Sequence, residues 1–235
     1  LDWGSTYFWK ACGQNVADQC LPVKSFTINS LPDYHADQIT VNQLNDEQYT
    51  DGINILDFES LGYSLALDKH GEPIWYTARE NFHMDQIIVT QFLDNGNFIG
   101  FSNGRGYEFN LDSDIVFEAP LDYNIHHQIS KTSNGTYFFI DAEIEYHDCP
   151  LECDESFSVL PIPWQGDRYV EIDSSGSLIW DWNTFDEISL SEYNPLYAQI
   201  YNGVIELDWT HSNSVFYDDN TENVYVSIRN LSRIT

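Results

Sequence analysis

The sequence predicts an all-β fold, a β-propeller built from four-stranded antiparallel blades, and three observations support it. Aromatic residues make up 15% of the chain, and aromatic side chains are enriched in strands. The segments 67–75 and 172–180 both read as a strand end, a turn and a strand start, with Asp, Gly and Trp in the same register. Asn-Gly turns ending at Gly96 and Gly135 alternate with these segments, and both residues of each turn are expected to have positive φ.

The repeated unit has the length of a propeller blade. Aligned on Asp68, Asp112 and Asp173, successive units are 44 and 61 residues long, and blades of about 40–50 residues are typical of propellers. The longer interval predicts a loop insertion within residues 146–163. Residues 53–235 then hold about four blades or fewer. A β-sandwich with coincidental turns is the alternative architecture.

The charge of the chain restricts the classes of partner that it can bind. Acidic residues number 38 and basic residues 9, which gives a net charge of -29. Nucleic acids and anionic membranes are bound through clustered Lys and Arg, so both are excluded as partners. No apolar run approaches the ~20 residues of a transmembrane helix. We interpret the acidity as a surface adaptation to a salty environment.

The cysteines divide the chain and indicate an oxidising compartment. Residues 1–52 are expected to be a lead-in segment that contains Cys12 and Cys20, and residues 53–235 the propeller. Cys149 and Cys153 form a second close pair inside the predicted insertion. An even number of cysteines at short spacing favours two disulfides and an extracellular location. A metal site that includes the adjacent His147 is the alternative, although no second half of such a site is visible.

Three basic side chains are candidates for catalysis, namely His127, His211 and Arg229. His126 and His127 lie on a predicted inner strand, and they should face opposite sides of it. His211 lies in the equivalent segment of the next unit, and Arg229 follows on another strand. Because inner strands converge on the propeller axis, we expect His127, His211 and Arg229 to meet there and to bind an anionic group. The alternative is that the histidines are ordinary core residues.

Residues 207–214 are predicted to form a continuous inner strand. Alternation along this strand would place Trp209, His211 and Asn213 on one face, and Asp208 with Thr210 on the other. Trp209 and Asn213 would therefore lie beside the catalytic histidine.

Three of these segments also carry a family resemblance. They are His126–Ile129, Asp208–Val215 and Ser227–Ser232, in that order along the chain. The order resembles that of the bacterial arylsulfate sulfotransferases, and the resemblance covers about residues 53–235. It implies a six-bladed propeller in a periplasmic or secreted enzyme. Such enzymes transfer a sulfuryl group from a phenolic sulfate ester to a phenol, without a nucleotide donor and through a sulfated histidine.

The resemblance also implies roles for individual residues. His127, His211 and Arg229 would be catalytic, and His126, Asn213 and Trp209 would bind substrate. No metal or cofactor is expected, apart from structural calcium in acidic loops such as 218–219.

Two departures from the family pattern affect these expectations. Gln128 stands where the family has Asp, and because Gln cannot hold a histidine with a negative charge, we expect lower histidine basicity. The family's sulfated histidine lies in a later blade, so we expect the chain to be a portion of a propeller that the same or another polypeptide completes. The alternatives are a non-catalytic extracellular propeller that acts as a structural or binding module, and a hydrolase or lyase on the same scaffold.

Overall fold

The chain is mostly β-structure. The computed structural model describes residues 1–14, 16–31, 40–41, 52–58, 63–82, 87–148, 161–201 and 204–235. Strands make up 55% of the structure and helices 7%, which confirms the predicted all-β fold class. Within these described ranges, none of the helices has the length and apolar character needed to cross a membrane. The predicted disulfide between Cys149 and Cys153 lies outside the described residues.

The described part of the chain forms two compact units. One comprises Leu1–Ile53 with Leu67–Pro73, and the other comprises Asn54–Ala66 with Ile74–Thr235. The first unit contains four short strands that pair as β1 with β4 and β2 with β3, namely β1 (Thr6–Trp9), β2 (Cys12–Gly13), β3 (Val16–Cys20) and β4 (Lys24–Thr27). Cys12 and Cys20 lie opposite each other in the second pair, and a disulfide joins them as predicted.

Within the described residues, the second unit carries four successive sheets of three, four, six and three strands, and the six-stranded sheet includes one parallel pair. Blade 1 consists of β5 (Asn54–Phe58), β6 (Tyr63–Leu67) and β7 (Pro73–Tyr76). Blade 2 consists of β8 (Ile88–Phe92), β9 (Phe98–Ser102), β10 (Arg105–Phe109) and β11 (Ile115–Glu118). Blade 3 consists of β12 (Ile125–Lys131), β13 (Tyr137–Asp148), β14 (Pro161–Ile172) and β15 (Leu178–Asn183).

A helical segment and a hairpin separate blade 3 from the last sheet. The short helix α1 (Thr184–Glu187) precedes the hairpin of β16 (Ala198–Tyr201) and β17 (Val204–Asp208). β17 pairs in parallel with the start of β14. Blade 4 then follows with β18 (Ser212–Asp218), β19 (Asn223–Ile228) and β20 (Arg233–Ile234). In the described part of the chain, 3₁₀ helices also occur at Arg79–Phe82, Leu190–Glu192 and Pro195–Tyr197.

The same turn precedes the outer strand in blades 1, 2 and 3, but in blade 2 it begins at a different residue from the predicted one. Asp68, Asn110 and Asp173 each accept hydrogen bonds from the backbone N–H groups two and four residues later. Asn110, and not Asp112, is therefore the equivalent residue in blade 2. The amide oxygen of Asn performs this turn function as well as a carboxylate does. In blade 2, Ser113 takes the positive φ (63°) that glycines have in the other two turns.

The two Asn-Gly hairpins form where they were predicted, but with a different turn. Gly96 and Gly135 have φ values of 87° and 83°, whereas Asn95 and Asn134 do not have positive φ. Each glycine N–H donates to the carbonyl three residues earlier. This is the three-residue hairpin loop that ends on a left-handed residue, and it needs positive φ at the glycine alone.

Hydrogen bonds from side chains join neighbouring blades at both their outer and their inner edges. The Trp75 indole N–H of blade 1 donates to the Leu111 carbonyl of blade 2 at 2.7 Å. The Gln91 side chain on β8 accepts a hydrogen bond from the backbone N–H of Lys131 on β12 at 2.7 Å. Buried apolar clusters fill the space between neighbouring sheets. The strand β12 contacts β8 on one side and β18 on the other.

Candidate functional site

A β-bulge determines where the two adjacent histidines point. The register between β12 and β13 shifts between Ile125 and Ile129, and His127 has a φ of 55°. The ring centroids of His126 and His127 are only 5.1 Å apart. The prediction that they face opposite sides of a regular strand is therefore wrong, because a bulge places three residues of β12 opposite one residue of β13 and interrupts the regular pairing.

The segment that carries His211 is likewise not a continuous strand. β17 ends at Asp208 and β18 begins at Ser212. His211 lies in the link between them with a φ of 48°. The predicted shared face of Trp209, His211 and Asn213 is therefore wrong, because the chain turns between the first two residues.

Trp209 is a core residue. Its side chain is fully buried and packs against the rings of Trp164 and Phe185, at centroid distances of 5.9 and 5.0 Å. A substrate cannot reach it in this structure, so the predicted substrate contact does not fit its position. Asn213, in contrast, is exposed at a register shift of β18, two residues after His211.

The two bends bring His127 and His211 together. Their Nε2 atoms are 3.3 Å apart. Nδ1 of His211 lies 2.6 Å from the Asp208 carboxylate, so Nδ1 carries a proton and Nε2 of the neutral ring is an acceptor. A hydrogen bond between the two Nε2 atoms requires one proton between them. The pair can therefore release or take up a proton at the point where the two rings meet.

The surroundings of His127 favour its neutral form. Partial burial lowers the pKa of His127, and electrostatic interaction with the neighbouring imidazoles of His126 and His211 lowers it further. Arg229 acts in the same direction, while Asp167 opposes it. A neutral imidazole at neutral pH can act as a base or as a nucleophile.

The segment of Arg229 is tied to the segment of His211. The backbone N–H of Arg229 donates to the His211 carbonyl at 3.3 Å. The side-chain amide of Asn230 donates to the Asp208 carbonyl at 2.6 Å. The exposed guanidinium lies 5.6 Å from the ring centroid of Tyr197. The fold thus places Arg229 beside the histidine pair, where its charge influences His127.

Comparison with known proteins identifies the family. The family model described as arylsulfotransferase (ASST) matches residues 30–235. The chain belongs to the arylsulfotransferase family. No curated protein matches the chain. Membership supports arylsulfotransferase-like function in general, with aryl sulfates and phenols as the substrates that the family implies.

In this arylsulfotransferase-family chain, carboxylates lie next to two of the three histidines of the site. Asp208 binds His211, as described, and Nε2 of His126 lies 2.9 Å from Oδ1 of Asp167. Gln128 instead accepts a hydrogen bond from the Val215 backbone N–H at 3.0 Å. The pKa of His127 is lowered, in the expected direction, but burial and not Gln128 is the main cause, and His126 and His211 have carboxylates from other strands.

Sequence reasoning missed both carboxylates for different reasons. Asp208 precedes His211 by three residues, but alternation along a regular strand would place the two side chains on opposite faces. Asp167 cannot be identified from the sequence, because residues 161–172 contain no motif that marks it as a partner of a histidine. Only the pairing of β13 with β14 brings it beneath the histidines.

The acidic loop proposed for calcium has other partners. The Asp218 carboxylate accepts hydrogen bonds from Asn220 and Thr221 within its own turn. The Asp219 carboxylate accepts hydrogen bonds from the backbone and side chain of Ser133 in blade 3. Across the described part of the chain, no three His, Cys, Asp or Glu side chains cluster as metal ligands do.

Replacement of Asp141 should stabilise the protein at neutral pH. Burial raises the pKa of Asp141 to about 6, above the usual value of about 3.9 in an unfolded chain. The folded state therefore holds the proton more tightly, and stability falls as pH rises from about 4 to about 6. Asp141→Asn keeps the oxygen that accepts from Asn124. It should raise the free energy of unfolding at pH 7.5 by about 2 kcal/mol, with little change at pH 4.

Urea denaturation at both pH values measures this effect. Asp173→Asn is the control, because Asn110 already performs the same turn function in blade 2. The control should show no gain at pH 7.5. An Asp141→Asn difference that is the same at both pH values would contradict the account.

Proposed function

We propose that the protein is an arylsulfate sulfotransferase that acts at His127, His211 and Arg229. The observation that supports the proposal is the imidazole pair, with Nε2 atoms 3.3 Å apart, beside the segment of Arg229. A sulfuryl group carries negative charge on oxygens that a guanidinium binds through paired N–H groups. Membership of the arylsulfotransferase family supports the same class of substrate.

The proposed chemistry moves the sulfuryl group between two phenolic oxygens. Arg229 stabilises the charge on the sulfuryl oxygens as the S–O bond of the donor breaks. The neutral imidazole pair accepts the proton of the acceptor phenol as the acceptor oxygen forms the new S–O bond. The donor phenolate leaves with the electron pair of the broken bond and takes the proton from the imidazolium, which restores the neutral pair. Asn213, exposed two residues from His211, is the proposed substrate contact.

The proposed compartment is the periplasm or the exterior of the cell. The disulfide between Cys12 and Cys20 supports this location, because disulfides persist in oxidising compartments. The proposed reaction needs no nucleotide sulfate donor, because the aryl sulfate itself supplies the group.

Release of 4-nitrophenol from 4-nitrophenyl sulfate, with and without phenol as acceptor, tests the proposal. We expect release that depends on phenol. Arg229→Ala should lower kcat/KM by about 10²-fold, as the loss of one charge-stabilising donor does in other enzymes. Arg233→Ala is the matched control, because Arg233 pairs with Glu192 on the surface, and it should retain full activity.

The same assay distinguishes the alternatives. Release that does not need phenol would indicate a sulfate ester hydrolase. A folded protein that releases no nitrophenol would contradict the proposal and favour a binding or structural propeller.

A further inference from the structure

Asp167 is a buried carboxylate whose contacts converge from both halves of the site. Its side chain is 1% exposed. Oδ2 accepts a hydrogen bond from the Thr210 hydroxyl at 2.6 Å and another from the Ser212 backbone N–H at 2.7 Å. Oδ1 lies 2.9 Å from Nε2 of His126. One carboxylate therefore contacts the residues on either side of His211 and the residue before His127.

The backbone at Asp167 is itself firmly held. Its N–H donates to the Thr184 hydroxyl at 3.0 Å. The preceding residue must be small, because a Cβ at Gly166 would lie 2.6 Å from the Phe185 ring and 2.9 Å from the Thr184 hydroxyl. Asp167 thus projects from a rigid part of β14, whereas both histidines lie on bends.

Both bends have an uncommon backbone conformation. His127 and His211 have φ values of 55° and 48°, in the left-handed region, which few residues other than Gly occupy although His enters it more often than most. Such conformations persist only where the surrounding structure holds them. The contacts of Asp167 with His126, Thr210 and Ser212 are next to both bends, so they can supply that restraint.

The charge of Asp167 fits this arrangement. Burial acts to raise the pKa of Asp167, but the contacts with His126, Ser212 and Thr210 outweigh it and lower the pKa. The carboxylate is therefore ionised at neutral pH, next to the imidazole of His126. An isosteric amide would keep an acceptor for Thr210 and Ser212 but would place an N–H₂ group or a neutral oxygen against His126.

We infer that Asp167 is a positioning residue that holds the imidazole rings of His127 and His211 at hydrogen-bonding distance for proton transfer. This inference deepens the proposed function and rests on it as far as the reaction is concerned. Asp167 itself touches neither ring of the pair. Its effect on the reaction is to keep the two Nε2 atoms within hydrogen-bonding distance.

The first test does not depend on the reaction. The proton shared by the two Nε2 atoms should give a downfield imidazole N–H resonance in the NMR spectrum of the wild-type protein. We expect Asp167→Asn to abolish it. Glu108→Gln, which changes an equally buried carboxylate that contacts Lys131 and Tyr137 instead, should retain it. If Asp167→Asn fails to fold, Thr210→Val removes one of the same restraints and should weaken the resonance.

The second test uses kinetics with 4-nitrophenyl sulfate and phenol. Asp167→Asn should lower kcat by about 30-fold with KM changed less than about threefold, because misplacement of a reacting group by a fraction of an ångström has effects of this size. In a His211→Asn background the same substitution should lower kcat less than about threefold, since the pair is already lost. A residue that only stabilises the fold would give the same factor in both backgrounds.

The outcomes separate the inference from the proposed function. Loss of the resonance in Asp167→Asn, with no sulfuryl transfer by the wild type, would overturn the proposed function and leave the positioning role intact. Retention of the resonance and of kcat in Asp167→Asn would overturn the inference, whatever reaction the wild type catalyses.

Discussion

His211→Asn is expected to lower kcat/KM for sulfuryl transfer by about 10³-fold, within the usual range for loss of a general acid or base. The substitution removes Nε2, and with it the partner of His127 at 3.3 Å. Asn is the suitable replacement because it tolerates the positive φ of this position. The loss of activity should therefore reflect the missing imidazole rather than a misfolded bend.

A second histidine supplies the control for this prediction. His147 on β13 lies 2.9 Å from the Glu145 carboxylate and packs against Trp164 and Phe185. His147→Asn should retain kcat/KM within about twofold, because substitutions away from a site seldom affect it more. Activity of His211→Asn within tenfold of wild type would contradict the proposed role of the pair.

Glu108→Leu is expected to cost about 3 kcal/mol or more of unfolding free energy, because it leaves buried donors without an acceptor. The Glu108 carboxylate bridges blades 2 and 3. It accepts from Lys131 at 2.6 Å, from Tyr137 at 2.6 Å and from Asn97 at 2.7 Å. Burial acts to raise the pKa of Glu108, but these donors outweigh it and lower the pKa. The stabilisation is present at neutral pH and is lost as pH falls through the lowered pKa.

An ion pair on the surface of the same blade is the matched comparison. Arg105 and Glu118 form a salt bridge of 3.0 Å with both side chains about one-third exposed. Glu118→Leu should cost less than about 1 kcal/mol, because water screens exposed pairs. Chemical denaturation at pH 7 measures both variants. Equal losses would contradict the view that Glu108 joins the two blades.

The blade pattern could be predicted from the sequence because turns are local. The Asp68 and Asp173 turns and the Asn-Gly hairpins depend on residues within five positions of each other, so their residue types identify them. The register error at Asn110 arose because Asn and Asp are interchangeable in that turn, and a nearby Asp112 offered a false match. The three-residue hairpin loops were missed because Asn-Gly suits more than one turn type.

The site could be predicted only in part, because bends and long-range contacts decide its geometry. His127, His211 and Arg229 were named from their segments, and the fold brings those segments together. The burial of Trp209 was missed because strict alternation was assumed across a chain bend. Asp167 was missed because its partners His126 and Thr210 are more than forty positions away on either side.

Mass spectrometric detection of the sulfated acceptor is the most direct test of the central claim. The natural polypeptide would be incubated with 4-nitrophenyl sulfate and phenol, beside His211→Asn. The account predicts one phenyl sulfate for each nitrophenol released, and almost none with the variant. Free sulfate in place of phenyl sulfate, or equal yields from both proteins, would contradict a sulfuryl transfer that depends on the His127–His211 pair.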